Sequence, residues 1–163
     1  MRISAAVLIM MFSLAGCAHV VGKESLALAD RNLSFRMLNE HTETYEGKYV
    51  LLGGIIAGVR NTASGGEIEI VQYELDSRGR PEVSESSGGR FLAQSDGFLD
   101  PLVYLTGLRV TLVGRVTGKK VVPLNSVDYA YPVVSIREIR LLKPDLYSPY
   151  PMFHFGVGIG HTF

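Results

Sequence analysis

Residues 47–61 read GKYVLLGGIIAGVRN, and this stretch decides the fold. Apolar side chains stand on both parities, Val50, Leu52 and Ile56 on one, Leu51, Ile55 and Val59 on the other, so a strand here has to be covered on both faces. Gly53-Gly54 interrupts the run at its centre, and glycine inside a strand marks a bend, a bulge or a close backbone approach. A long first strand bent in this way lets a small sheet coil and close on itself.

Working outward, Gly65-Gly66 after Asn61 signals a hairpin. Ile68 and Ile70 share one parity, while Val71, Tyr73 and Leu75 share the other, which predicts a β-bulge near Ile70. Residues 78–89 form a polar loop, followed by a short strand over 90–94. From Leu108 to Thr117 one parity carries Leu108, Val110, Leu112, Gly114 and Val116 and the other Arg109, Thr111, Val113, Arg115 and Thr117, as in a half-buried strand, and Gly118-Lys119-Lys120 is read as its turn. The last strand is expected over 131–142, with a second parity shift between Ile136 and Ile139. The sequence thus predicts an all-β class: a small five-stranded OB-like barrel over 46–143. A β-sandwich is the competing architecture.

The flanks differ from this body. Residues 18 to 33 suit a tether, with a short helix expected over 25–32, and 35–45 reads as a polar connector with a turn at Glu40-His41. Beyond Lys143-Pro144 lies a Pro/Gly/aromatic tail, 144–163. Phe153, Phe155, Val157, Ile159 and Phe163 alternate there with small or polar residues, as in an added strand; a disordered Gly-rich tail is the other reading.

Compartment is read from Cys17, the single cysteine of the chain. Ahead of it stand Met1-Arg2, an apolar run of about 12 residues, too short to cross a bilayer that needs roughly 20, and Leu14-Ala15-Gly16. This resembles a lipoprotein signal with its lipobox. It implies cleavage after residue 16, acyl chains on Cys17, and a lipidated tether and connector over 17–45. The thiol is then consumed, leaving no disulfide or cysteine nucleophile. Ala18, where an aspartate would retain the protein at the inner membrane, favours the outer membrane.

Charge and motifs narrow the function classes. Sixteen basic residues balance sixteen acidic ones, so bulk charge does not suit a polyanion binder, and no nucleic-acid partner is expected. His19, His41, His154 and His161 never fall at metal-ligand spacing, there is no G-x-S-x-G elbow, and Gly53-Gly54 lies within a strand rather than before a helix. The expectation is a chain that is not an enzyme, with no metal and no cofactor other than the covalent lipid. One block remains, GRFLAQSDGFLDP at 89–101. Its Ser95-Asp96-Gly97 and Asp100-Pro101 are turn chemistry, with Phe98 and Leu99 expected to plug the barrel end. Alternatively Arg90, Asp96 and Asp100, with Arg109 and Arg115, offer a ligand or partner surface.

The lipobox, the strand 49–59, the 89–101 block, VTLVGRVTG at 110–118 and YPVV at 131–134 occur in an order that resembles the Slp family, starvation-inducible outer-membrane lipoproteins of Gram-negative bacteria. The resemblance covers about residues 14–142. Leu141-Leu142 stand where family members often carry a tryptophan. The resemblance implies a lipid-anchored, periplasm-facing envelope module linked to starvation or stress, and brings no catalytic residues. Its partners would be the outer membrane, through the lipid, and an envelope protein or peptidoglycan. Binding of an oligosaccharide on an OB-type face is the second reading.

Overall fold

The computed structural model describes residues 19–125 and 127–142. The expected signal peptide, Cys17 and the expected tail over 144–163 lie outside the described residues. Five strands, β1 (Tyr49–Thr62), β2 (Gly65–Gln72), β3 (Gly89–Ser95), β4 (Arg109–Leu124) and β5 (Val127–Leu142), close into a barrel in the order β1-β2-β3-β5-β4. All neighbours are antiparallel except β3 and β5. This is the OB-like barrel that the sequence predicts.

Closure depends on β1, which changes partner halfway along. Its first half, Tyr49 to Ile55, pairs with β4, and its second half, from Gly54 to Thr62, pairs with β2. The changeover falls at Gly54, where an added Cβ would collide with the Val71 carbonyl oxygen of β2; at Gly53 it would lie 2.9 Å from the Val110 carbonyl oxygen of β4. Only residues without a side chain allow both neighbouring backbones to come this close. Inside, Val50, Leu52, Ile56, Ile68, Ile70, Phe91, Ala93, Val110, Leu112, Val116 and Val134 form the buried core.

The barrel ends are closed by two different segments. In the expected tether α1 (Lys23–Leu28) starts and ends earlier than the helix read over 25–32, and the stretch read as a connector is helical as well, with α2 (Phe35–Glu40) and a 3-10 turn (Thr42–Tyr45). Ser34 caps α2 by accepting the Met37 N–H at 3.3 Å, which frees Phe35 and Leu38 to enter the core, Phe35 against Phe91 at 5.9 Å. The spacing of Phe35 and Leu38 at i, i+3 was the signal for this plug. At the opposite end Leu99 is buried, held by Asn61, which donates to the Leu99 carbonyl at 2.7 Å and accepts its N–H at 2.8 Å.

Four local expectations are corrected. The bulge lies not near Ile70 but across from it, between Ile56 and Gly58 of β1, because β2 ends at Gln72 and Tyr73 and Leu75 are not part of it. Gly118-Lys119-Lys120 does not turn: Gly118, at φ +127°, sits beside a register shift, and β4 continues to Leu124 before Asn125, at φ 49°, enters the turn. Consequently β5 begins at Val127 rather than Tyr131, and the hairpin arm extends well past the barrel wall. Phe98 points to solvent, 74% exposed, so Leu99 alone of that pair plugs the end. The parity shift expected late in β5 is present at Arg137, skipped between Glu138 and Ile136 in their pairing with Val113 and Gly114.

Gly54→Ala is expected to lower stability by about 2–4 kcal/mol, since backbone on backbone cannot be relieved by rotamer changes. Gly58→Ala, with nothing within 4 Å of its Cβ position, is expected to be near neutral. Urea denaturation midpoints compare the two.

Candidate functional site

The sequence-named residues do not assemble into one surface. Arg90 lies on the outer face of β3 and donates to Glu69 at 2.6 Å. Asp100 makes a turn, its carboxylate accepting the Leu102 N–H at 2.8 Å, and Ser95 accepts the Gly97 N–H at 3.1 Å. Arg109 and Arg115 are exposed on β4, six residues apart, a span of about 20 Å. Between them Thr111 and Val113 are buried. What covers Val113 is the segment expected to be a tether, and what covers Thr111 is the loop around Gly79.

Residues 19–30 form a strap across the outside of the β1–β4 seam. Val20 donates to the Arg78 carbonyl at 2.9 Å, and Asp30 to the Tyr49 carbonyl at 2.9 Å. Val21 and Ala29 pack on Val113, with Leu26, Tyr49 and Leu51 around them. Gly22 donates its N–H to both carboxylate oxygens of Glu138, at 3.0 and 3.2 Å. Hydrogen bonds from Ser25 and that N–H hold the Glu138 carboxyl below the usual carboxylate range. Beside the strap the 73–88 loop adds its own cover, with the Gly79 carbonyl accepting the buried Thr111 hydroxyl at 2.6 Å. A hollow of about 410 Å³ remains under the strap, edged by Leu26, Leu33, Phe35 and Leu51. Gln72 also lines it, its side-chain carbonyl buried without a hydrogen-bond partner among the described residues.

On the other side of the barrel the arm formed by the ends of β4 and β5 leans over the outer face of β2 and β3. Leu92, Tyr131 and Val133 pack there with Val122 and Tyr129. Two glutamates of β2 fasten the arm. Glu67 is paired with Arg60 of β1, accepts from Gln94 of β3 at 2.9 Å and from Lys120 of β4 at 3.1 Å. Glu69 accepts from Arg90 and, at 3.1 Å, from the Tyr131 hydroxyl. Burial pushes the Glu67 carboxyl up, but the hydrogen bonds from Gln94, Lys120 and Arg60 outweigh it and hold the group below its ordinary value. Burial and the bond to Glu69 raise the Tyr131 hydroxyl. Sequence reading missed this cluster; its one signal was the Glu67, Glu69 repeat at a spacing of two, which puts both carboxylates on the face opposite Ile68 and Ile70.

Two hollows of about 280 and 510 Å³ share Arg60, Glu67 and Val122 and run together as a groove between the arm and the β1–β2 turn. Thr62, Ser64, Gln94, Ser95 and Asp96 edge it. This is the face, strands 2–3 flanked by the 1–2 and 4–5 loops, that OB barrels use for oligonucleotides and oligosaccharides. Here the cations along it, Arg60, Lys120 and Arg90, are engaged by glutamates. Phosphate recognition needs cations directed outward. Among the described residues no cluster of three His, Cys, Asp or Glu side chains is placed to hold a metal. No described helix is long and apolar enough to cross a membrane.

The family model described as the outer membrane lipoprotein Slp family matches residues 14–157. Outer membrane protein Slp of Escherichia coli strain K12 is 28% identical over 157 residues, 94% of this chain and 83% of that protein. An uncharacterized lipoprotein of the same strain, YeaY, is 34% identical over 113 residues, 68% of this chain and 58% of the relative. Neither name carries an enzymatic activity. Among solved structures, a mitochondrial single-stranded DNA-binding protein of S. cerevisiae aligns with a TM-score of 0.36 at 12% identity, covering 60% of this chain and 96% of that one.

Because the Glu67 carboxyl titrates lower in the folded chain than in the unfolded one, its contribution to stability is full above the unfolded value, about 4.3, and is lost as pH falls through the folded value. Glu67→Gln is expected to cost about 1–2 kcal/mol at pH 7 and to flatten the fall in urea midpoint between neutral and acidic pH.

Proposed function

The chain belongs to the outer membrane lipoprotein Slp family, and from that premise we propose that it is a non-catalytic module of the cell envelope, held by acyl chains on Cys17 with the barrel on the periplasmic side and acting in starvation or stress. The observation that carries this reading is the strap. His19, the first described residue, is already packed against Gly79, and Cys17 lies two residues ahead of it, at most about 7 Å away along an extended chain. The lipid would therefore hold the barrel itself at the membrane surface, rather than let it range at the end of a leash. Each buried CH₂ contributes about 0.8 kcal/mol, so a multiply acylated cysteine holds effectively permanently where a single myristoyl chain is marginal.

The working surface in this reading is the groove beside Glu67. Paired charges and hydroxyls suit sugar hydroxyls better than phosphates, which favours an oligosaccharide or peptidoglycan fragment as the second, more specific reading. A partner protein of the envelope would use the same face in the broader one.

Cys17→Ser is expected to abolish palmitate incorporation and release the protein from sedimented envelopes; unchanged labelling and sedimentation would remove the anchor. Ser64→Trp, which fills the groove while leaving the Glu67 cluster intact, is expected to reduce co-sedimentation with purified peptidoglycan. Arg109→Ala and Arg115→Ala, which lie on the strap side, are expected to leave it unchanged. If the groove-filling variant sediments like the parent chain, the glycan reading is lost.

A further inference from the structure

The 96–108 segment does two things at once. Leu99 is buried beneath the barrel end, with Tyr104 and Leu108 half-buried beside it. Phe98, Leu102, Val103 and Leu105 face solvent, Phe98 and Leu102 at 74% and 82% exposure. Four large apolar side chains exposed within eight residues exceed the scattered surface leucine that needs no explanation. They are also held rather than loose. The Asn61 clamp fixes Leu99, the Asp100 carbonyl accepts the Val103 and Tyr104 N–H groups at 2.9 Å, and Gly107 donates to the Ile56 carbonyl at 2.8 Å.

We propose that the 97–107 loop is a second, non-covalent membrane contact, and that it seats this end of the barrel against the lipid bilayer. The occupant is identified by where the chain leaves the barrel. Leu108 ends the loop, and the next residues of β4 meet both exits: Arg109 is in register with Leu142, the last described residue of β5, and Thr111 bonds Gly79, against which His19 packs. The apolar loop and the segment that leads to the lipid thus converge on residues 108–111, a length of about 10 Å. A bilayer reached by acyl chains on Cys17 is within reach of the loop; because His19 also lines the hollow that holds Phe35 of α2, the exit leaves either end reachable, and it is the exposed Phe98, Leu102, Val103 and Leu105 that select the loop end. The acyl chains already suffice for attachment. What the loop supplies is a fixed orientation of the barrel on the bilayer.

This inference rests on lipid at Cys17, and its test separates the two. The chain has no tryptophan, so Phe98→Trp in the full-length, lipidated protein places a single reporter in the loop, and Met37→Trp places one on α2. Each protein is reconstituted into phosphatidylethanolamine–phosphatidylglycerol vesicles carrying a brominated phosphatidylcholine, and flotation is measured on the same sample. The expected result is flotation of both, with a blue-shifted, about two-fold quenched emission for Phe98→Trp, as for a ring at the headgroup boundary, and unquenched emission for Met37→Trp. Flotation with unquenched Phe98→Trp emission overturns the loop contact while the anchor stands. Failure to float overturns the anchor and the contact with it. Emission already blue-shifted in lipid-free Cys17→Ser protein means that another segment or a second copy covers the loop, and overturns the bilayer as its occupant.

Discussion

The backbone of β1 meets two neighbours at one point, and the rest of the molecule follows from that. A strand that pairs with β4 over its first half and β2 over its second must bring three backbones together at the changeover, and Gly53-Gly54 is where the sequence permits it. Closure removes the exposed sheet edges that would otherwise invite pairing with other chains. It also leaves the outer faces of the strands to be covered or used. The β1–β4 side is covered by the strap and the 73–88 loop, while the β2–β3 side is overhung by the arm and kept open as a groove.

The two sides divide the work. In the proposed reading the strap would turn a lipid on Cys17 into a constraint on the folded barrel, since Cys17 stands only two residues ahead of His19, which packs against Gly79. The arm is fastened across three strands by Glu67 and by the Glu69–Tyr131 contact, which tie the walls of the groove together. Lys119 pairs with Glu43 of the 3-10 turn, joining the root of the arm to the helical plug. Carboxylates at the centre of the face set its character, because they engage the cations that a nucleic-acid binder would present outward.

Much of the fold was legible because it is written in local signals. Alternation over 108–117, the glycine pair in β1 and the hairpin glycines each fix geometry within a few residues. What escaped reading depends on contacts distant in sequence. Gly118 looks like a turn, but across from it Val133 continues the ladder, so the strand deflects and runs on. The strap and α2 looked like tether and connector because short helices with mixed apolar residues have no clean period of their own; Val113 and Phe91 supply the surface that orders them. The site was less legible still. Arg109 and Arg115 stand out in an alternating strand, yet the buried Thr111 and Val113 between them show that this face is occupied, whereas Glu67 and Glu69 become a cluster only when β3, β4 and β5 bring up their partners.

Native-state hydrogen exchange of the amides from Val50 to Val59 tests the two-sided pairing of β1 most directly. If the barrel is closed as described, the residues facing β4 and those facing β2 exchange with the same free energy, equal to that of global unfolding. Exchange of the β4-facing half through a separate, lower-energy opening would contradict the account, because the sheet would then be an open one on which the strap is merely laid.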